Sequence, residues 1–199
     1  MEFIGTFFFI LTIAMGTHPL AIASMLMAWL YIGKFVSGAH YNPMLSLALM
    51  LRGSFARSEF APYVVAQVLG GAAAYMLSAF LQHGLMLPAP GADVSLLQAG
   101  LVEVLLSFVF ASIVLVVATG DHFKGSNLFG FAIAFTIPAL AAVGGPISGG
   151  LFNPAIALGA PLAGMFHGMP VVWEHVAMYV VGAAVGAVLA AKSFAHFEK

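Results

Sequence analysis

A chain of 199 residues that is 62% hydrophobic and only 7% charged, with a mean hydropathy of +1.07, is an integral membrane protein by composition. Its net charge of −1 offers nothing to nucleic acid, and the absence of cysteine removes disulfides and thiol catalysis. The seven His and seven acids are too few and too scattered for a catalytic or metal cluster, so no enzyme, cofactor or metal is expected.

In chain order, the first apolar run begins straight after Glu2 with no basic segment before it, so it is expected to be a first span rather than a cleavable leader. A crossing needs about 20 apolar residues, and fewer where a helix is buried in a bundle. Six spans are predicted, at roughly 2–16, 19–36, 59–83, 96–119, 127–144 and 172–193. Two apolar pieces, 43–52 and 154–164, are too short to cross. The clearest turns are 84–95, with Pro88, Pro90, Gly91 and Asp93, and 120–126, with Gly120, Asp121, Lys124 and Gly125. Nothing outside the membrane is long enough to fold separately, so residues 1–199 read as one membrane domain.

The two short pieces follow a phrase that the chain states twice. Ser37-Gly38-Ala39-His40-Tyr41-Asn42-Pro43-Met44 aligns without gaps with Ser148-Gly149-Gly150-Leu151-Phe152-Asn153-Pro154-Ala155, and Leu47 and Leu158 match further on. Asn is a preferred N-cap and Pro suits the first helical position, so each copy starts a helix inside apolar sequence. Irregular backbone at that depth is allowed only against protein or a watery cavity, so both are read as half-helices from re-entrant loops.

With a cytoplasmic N-terminus and six spans, all of Lys34, Arg52, Arg57, Lys124, Lys192 and Lys199 fall on the cytoplasmic side, as the positive-inside bias asks. The first half-helix then enters from the cytoplasm and the second from outside. The halves, about 1–92 and 93–199, hold three spans each, and Glu2-x-x-x-Thr6-Phe7 is echoed by Glu103-x-x-x-Ser107-Phe108. Three is odd, so the second half is inserted upside down. The half-helices then meet near the midplane, Asn42 facing Asn153. Small residues at helical spacing, Gly70/Ala74/Ser78 and Gly182/Gly186/Ala190, are expected to bring helices close together.

Each Asn oxygen can accept from a free N–H in the first helical turn, leaving both amide hydrogens to face a cavity. Two positive helix ends, each worth roughly half a charge, converge on the same point. That centre suits a neutral molecule with an acceptor oxygen and repels cations and hydronium. Carbonyls of Gly38, Ala39 and His40 on one side, and of Gly149, Gly150 and Leu151 on the other, extend it into a conduit. A single Asn-Pro starts many ordinary buried helices. Two copies with matched flanks in opposed halves point to a pore.

These residues, with Ala66-Gln67-Val68-Leu69-Gly70-Gly71 and Phe152-Asn153-Pro154-Ala155, resemble the major intrinsic protein family of aquaporins and glycerol facilitators over essentially the whole chain. The resemblance implies an all-α membrane protein, six tilted spans plus two re-entrant half-helices in an inverted repeat, with a pore in each subunit of a homotetramer. The bilayer, water and small neutral solutes would be its partners, and the plasma (inner) membrane its site, both termini cytoplasmic. It also makes Glu2 and Glu103 buried acceptors for loop N–H groups, and His40 a wall residue. Met44 stands where the family usually has Ala, and is expected to narrow or reshape the pore centre. Ile156 stands where the family places an Arg, and the other constriction positions fall at Ile22, Ala141 and Gly150. That set is apolar, so the outer mouth is expected to pass small neutral solutes such as glycerol, urea, ammonia and peroxide. The alternative is a secondary transporter, since broken helices at a midplane site also describe those folds; saturable, gradient-driven uptake is its mark.

Overall fold

A computed structural model describes residues 1–123 and 125–197, so Lys124 and Lys199 of the one-sided basic set lie outside the described residues. Eight α-helices run in order: α1 (Glu2–Ala14), α2 (Pro19–Ser37), α3 (Pro43–Arg52), α4 (Arg57–Gln82), α5 (Leu96–Thr119), α6 (Phe129–Ser148), α7 (Pro154–Phe166) and α8 (Trp173–Phe197). A 3₁₀ turn, Asp121–Phe123, follows α5, and no strand occurs among the described residues. Among the described residues five helices are long and apolar enough to cross a membrane: α2, α4, α5, α6 and α8. The expected first span, α1, is shorter at 13 residues, about 20 Å against a hydrocarbon core of about 30 Å.

One boundary differs for a clear reason. The predicted span 127–144 stops at Gly144-Gly145-Pro146, whereas α6 continues through them to Ser148. Gly144 is wanted there for its size, because a Cβ would lie 2.3 Å from Leu106 of α5. The helix ends instead at Gly149, whose φ of +88° closes it in the left-handed conformation that glycine adopts at little cost.

Packing repeats between the halves. α1 lies along α4 and against α2; α5 lies along α8 and against α6. The small-residue stripes make the first kind of contact. A Cβ on Gly70 would sit 2.5 Å from the Phe3 carbonyl, and one on Gly186 would sit 2.5 Å from Ser107. Across the halves α2 meets α6, and the short helices are exchanged, α3 packing on α8 and α7 on α4. Gly71 and Gly159 allow the second exchange, each leaving under 3 Å for an added Cβ against the other helix's backbone. Without hydrophobic drive between helices in lipid, such close backbone approach is the main source of association.

The ends of α2, α3 and α8 carry Lys34, Arg52 and Lys192. Arg52 stacks on the Phe194 ring at 4.9 Å, which joins the C-terminal ends of α3 and α8. That end is the α3 side below, and the opposite one the α7 side. Trp173, 59% exposed at the start of α8, has the amphipathic position of an interfacial anchor.

Candidate functional site

The loop before each short helix adopts the same unusual backbone. Gly38, Ala39 and Tyr41 have φ of +82°, +57° and +51°; their counterparts Gly149, Gly150 and Phe152 have +88°, +62° and +30°. Ala39, Tyr41 and Phe152 carry side chains in a region that costs about 1–2 kcal/mol per residue, so other contacts must hold them there.

Two buried carboxylates do so. Glu2, 3% exposed, accepts from the Ser37 hydroxyl at 2.6 Å, from the N–H groups of His40 and Tyr41 at 3.1 and 2.7 Å, and from Gln67 at 2.7 Å. Glu103, fully buried, accepts from the Ser148 hydroxyl at 2.6 Å and from the N–H groups of Leu151 and Phe152 at 3.0 and 2.6 Å. Tyrosine hydroxyls close both corners, Tyr63 donating to the Ser37 carbonyl at 2.9 Å and Tyr179 to that of Ser148 at 2.5 Å. Gln67 also donates to Ser46, which meets His40 Nδ1 at 3.0 Å. Gln67 stood in the quoted sequence without a role; a lone amide in an apolar helix was its signal.

Tyr41 seats the first loop. Its ring enters a slot between Gly5 and Gly33, where added Cβ atoms would lie 2.1 Å from the ring and 1.7 Å from its oxygen, and its hydroxyl donates to the Trp29 carbonyl at 2.9 Å. Gly33→Val is therefore expected to expel the ring and lower the melting temperature by about 5–10 °C, taking about 1–3 kcal/mol for overpacking. Gly84→Ala, with nothing within 4 Å of the new Cβ, should leave it unchanged, and thermal aggregation in detergent compares them.

At the centre each Asn caps its helix: Asn42 Oδ1 accepts from Met44 N–H at 2.9 Å and Asn153 Oδ1 from Ala155 N–H at 3.0 Å. The amide hydrogens do not both face a cavity. Asn42 Nδ2 donates to the Phe152 carbonyl at 2.9 Å, and Asn153 Nδ2 to the Tyr41 carbonyl at 3.2 Å. These crossed bonds pin each helix start to the opposite loop and leave each Asn one further amide hydrogen.

Two cavities flank this junction. On the α3 side, about 40 Å³ is lined by Gly38, Ala39, His40, Asn42 and Asn153 among apolar side chains. On the α7 side, about 220 Å³ is lined by Ile22, Ala141, Gly149, Gly150, Leu151 and Ile156. All four positions of the constriction set thus share one wall, three from side chains and Gly150 from backbone alone. Phe9 and Phe152 line both cavities, so they stand at the neck between them. Met44 does not: it is 1% exposed within the packed core and absent from both walls, its backbone N–H serving Asn42. Pro43, Pro154 and Ala155 are buried in the first turns of their helices.

A helical membrane protein whose two half-helices start against each other, with a cavity on either side, has the build of a membrane channel. The family model for the major intrinsic protein matches residues 1–194, and the chain belongs to that family, whose members are channels rather than enzymes. It is 32% identical over 186 residues to aquaporin AqpM of Methanothermobacter marburgensis, covering 89% of this chain and 74% of that one. It is 34% identical over 172 residues to aquaporin NIP1-2 of rice (Oryza sativa), covering 82% of this chain but 55% of that one. In fold it is similar to the X-ray structure of the aquaglyceroporin from Plasmodium falciparum, with a TM-score of 0.85 at 19% identity, over 97% of this chain and 92% of that one.

Proposed function

We propose that the chain is a passive pore for water and small neutral solutes of the glycerol, urea, ammonia and peroxide class, running from the α7-side cavity past Asn42 and Asn153 into the α3-side cavity. The observation that carries this is the crossed pair of Asn bonds between two cavities. Its spare amide hydrogens and two positive helix ends offer donors to an acceptor oxygen and nothing to a cation. Carbonyls of the loops 38–40 and 149–151 replace solvent on either side.

Selectivity rests on the α7-side wall. Ile22, Ala141, Gly150 and Ile156 offer neither a charge nor a side-chain donor, so a small solute with apolar surface is not penalised there as it would be beside an Arg. We read the halves as an inverted repeat, supported by the matched loop dihedrals and the exchanged short helices. Glu2 and Glu103 act as structural acids. Both termini lie on the cytoplasmic face of the plasma (inner) membrane, in keeping with the basic ends of α2, α3 and α8. The homotetramer that the family resemblance implies is in keeping with an apolar exterior, Phe35, Phe80 and Leu97 among it, that lipid or a neighbouring copy must cover.

Stopped-flow light scattering on proteoliposomes tests the reading. Both osmotic water shrinkage and glycerol or urea re-entry should exceed those of empty vesicles by about tenfold or more, without saturating. Fast water flux with no solute flux would refute the solute part; saturable flux coupled to an ion gradient would point to a carrier instead.

A further inference from the structure

The wall beside Ile156 holds no charge, yet the lumen is not without one. Beyond the α3-side cavity lies a mouth of about 290 Å³ lined by Thr119, Ser126 and Asn127, at the ends of α2 and α5 and the start of α6. Lys34, Ala118 and Phe129 line both spaces, so they form the rim through which one opens into the other. The Lys34 ammonium lies 4.5 Å from the centre of the Phe129 ring, a cation–π contact that fixes a half-buried charge at the rim. The ring is itself packed against Tyr31 at 5.0 Å, and the Tyr31 hydroxyl is tied to the Asn127 carbonyl at 2.6 Å.

Among the described residues, Lys34 is the one fixed charge on the walls of both cavities and the mouth. His40 is the other basic side chain on these walls, and its Nδ1 is engaged with Ser46. Among the described residues no carboxylate lines them; Glu2 and Glu103 spend their oxygens on the loops. A positive charge without a counter-charge in the lumen, between low-dielectric walls, raises the local potential along the whole opening. We propose that Lys34 is the charge filter of this pore, a barrier to hydronium and other small cations at the α3-side rim, standing in for the charge that Ile156 does not supply.

The proposal rests on the pore reading, and its test separates the two. Proteoliposomes loaded with a pH-sensitive dye, under a potassium–valinomycin potential, report proton flux, while stopped-flow on the same vesicles reports water flux. Lys34→Gln should raise proton flux about tenfold and Lys34→Glu further, whereas Lys34→Arg should stay within about twofold of the unaltered chain. Lys192→Gln removes the same charge from the exposed end of α8, away from the lumen, and should leave proton flux unchanged. A lysine kept only for membrane orientation predicts no difference between the Lys34 and Lys192 variants. Water flux with proton flux unmoved in both Lys34→Gln and Lys34→Glu overturns this proposal alone; absence of water flux in the unaltered chain overturns the pore reading with it.

Discussion

Glu103→Ala is expected to lower the melting temperature by about 10–20 °C and to abolish water flux, the largest effect of any single substitution considered. It leaves three donors, the Ser148 hydroxyl and the N–H groups of Leu151 and Phe152, buried with no acceptor. Each costs about 1–3 kcal/mol, and a domain of this length shifts by about 2–4 °C per kcal/mol. The loop they hold has three left-handed positions, Gly149, Gly150 and Phe152, and the Phe152 carbonyl accepts the bond from Asn42, so failure there reaches the pore centre. Glu103→Gln should fall between, because its one oxygen can serve one side of the loop while its amide faces a donor. Glu174→Ala, at an exposed acid in the first turn of α8, is the control. An unchanged melting temperature in Glu103→Ala would contradict the buttressing role.

Ile156→Arg is expected to cut glycerol and urea permeability about tenfold or more while water flux persists. The position is 3% exposed on the wall shared with Ile22, Ala141 and Gly150, so a guanidinium placed there narrows the cavity and brings a fixed charge and a fork of donors. A solute must then shed water against a charged group with which only part of its surface can pair. Surviving water flux certifies a folded, open pore. Unaltered solute permeability on that background would mean that this wall does not set selectivity.

How much of this was legible beforehand depended on whether the cause was local. Composition is enough to demand lipid, because a chain 7% charged has no polar surface with which to cover itself. Asn followed by Pro is enough to start a helix, because Asn Oδ1 accepts the cap bond from an N–H two residues on, as at 2.9 Å in Asn42. The α6 boundary was misplaced because Gly144-Gly145-Pro146 reads as a stop, while packing against Leu106 carried the helix past it. Gln67 had no role in the sequence and Lys34 only that of a cytoplasmic charge, because nothing near them in the chain says what they will face. Gln67 finds Glu2 sixty-five residues away, and Lys34 finds a ring on α6.

The sequence by itself determined a membrane chain with two internal helix starts, the residues that cap them, and an Ile where a related pore would carry an Arg. The membrane chain, the helix starts and their caps follow from composition and from interactions a few residues long; the significance of the Ile is what the family resemblance implies. Only the tertiary structure decided that the short helices change partners between halves, that each Asn spends an amide hydrogen on the opposite loop, that Met44 lies in the core, and that a lysine stands at one mouth. Each is a contact across elements distant in the chain, chosen by which surfaces fit once small residues let the backbones close, and no local preference encodes it.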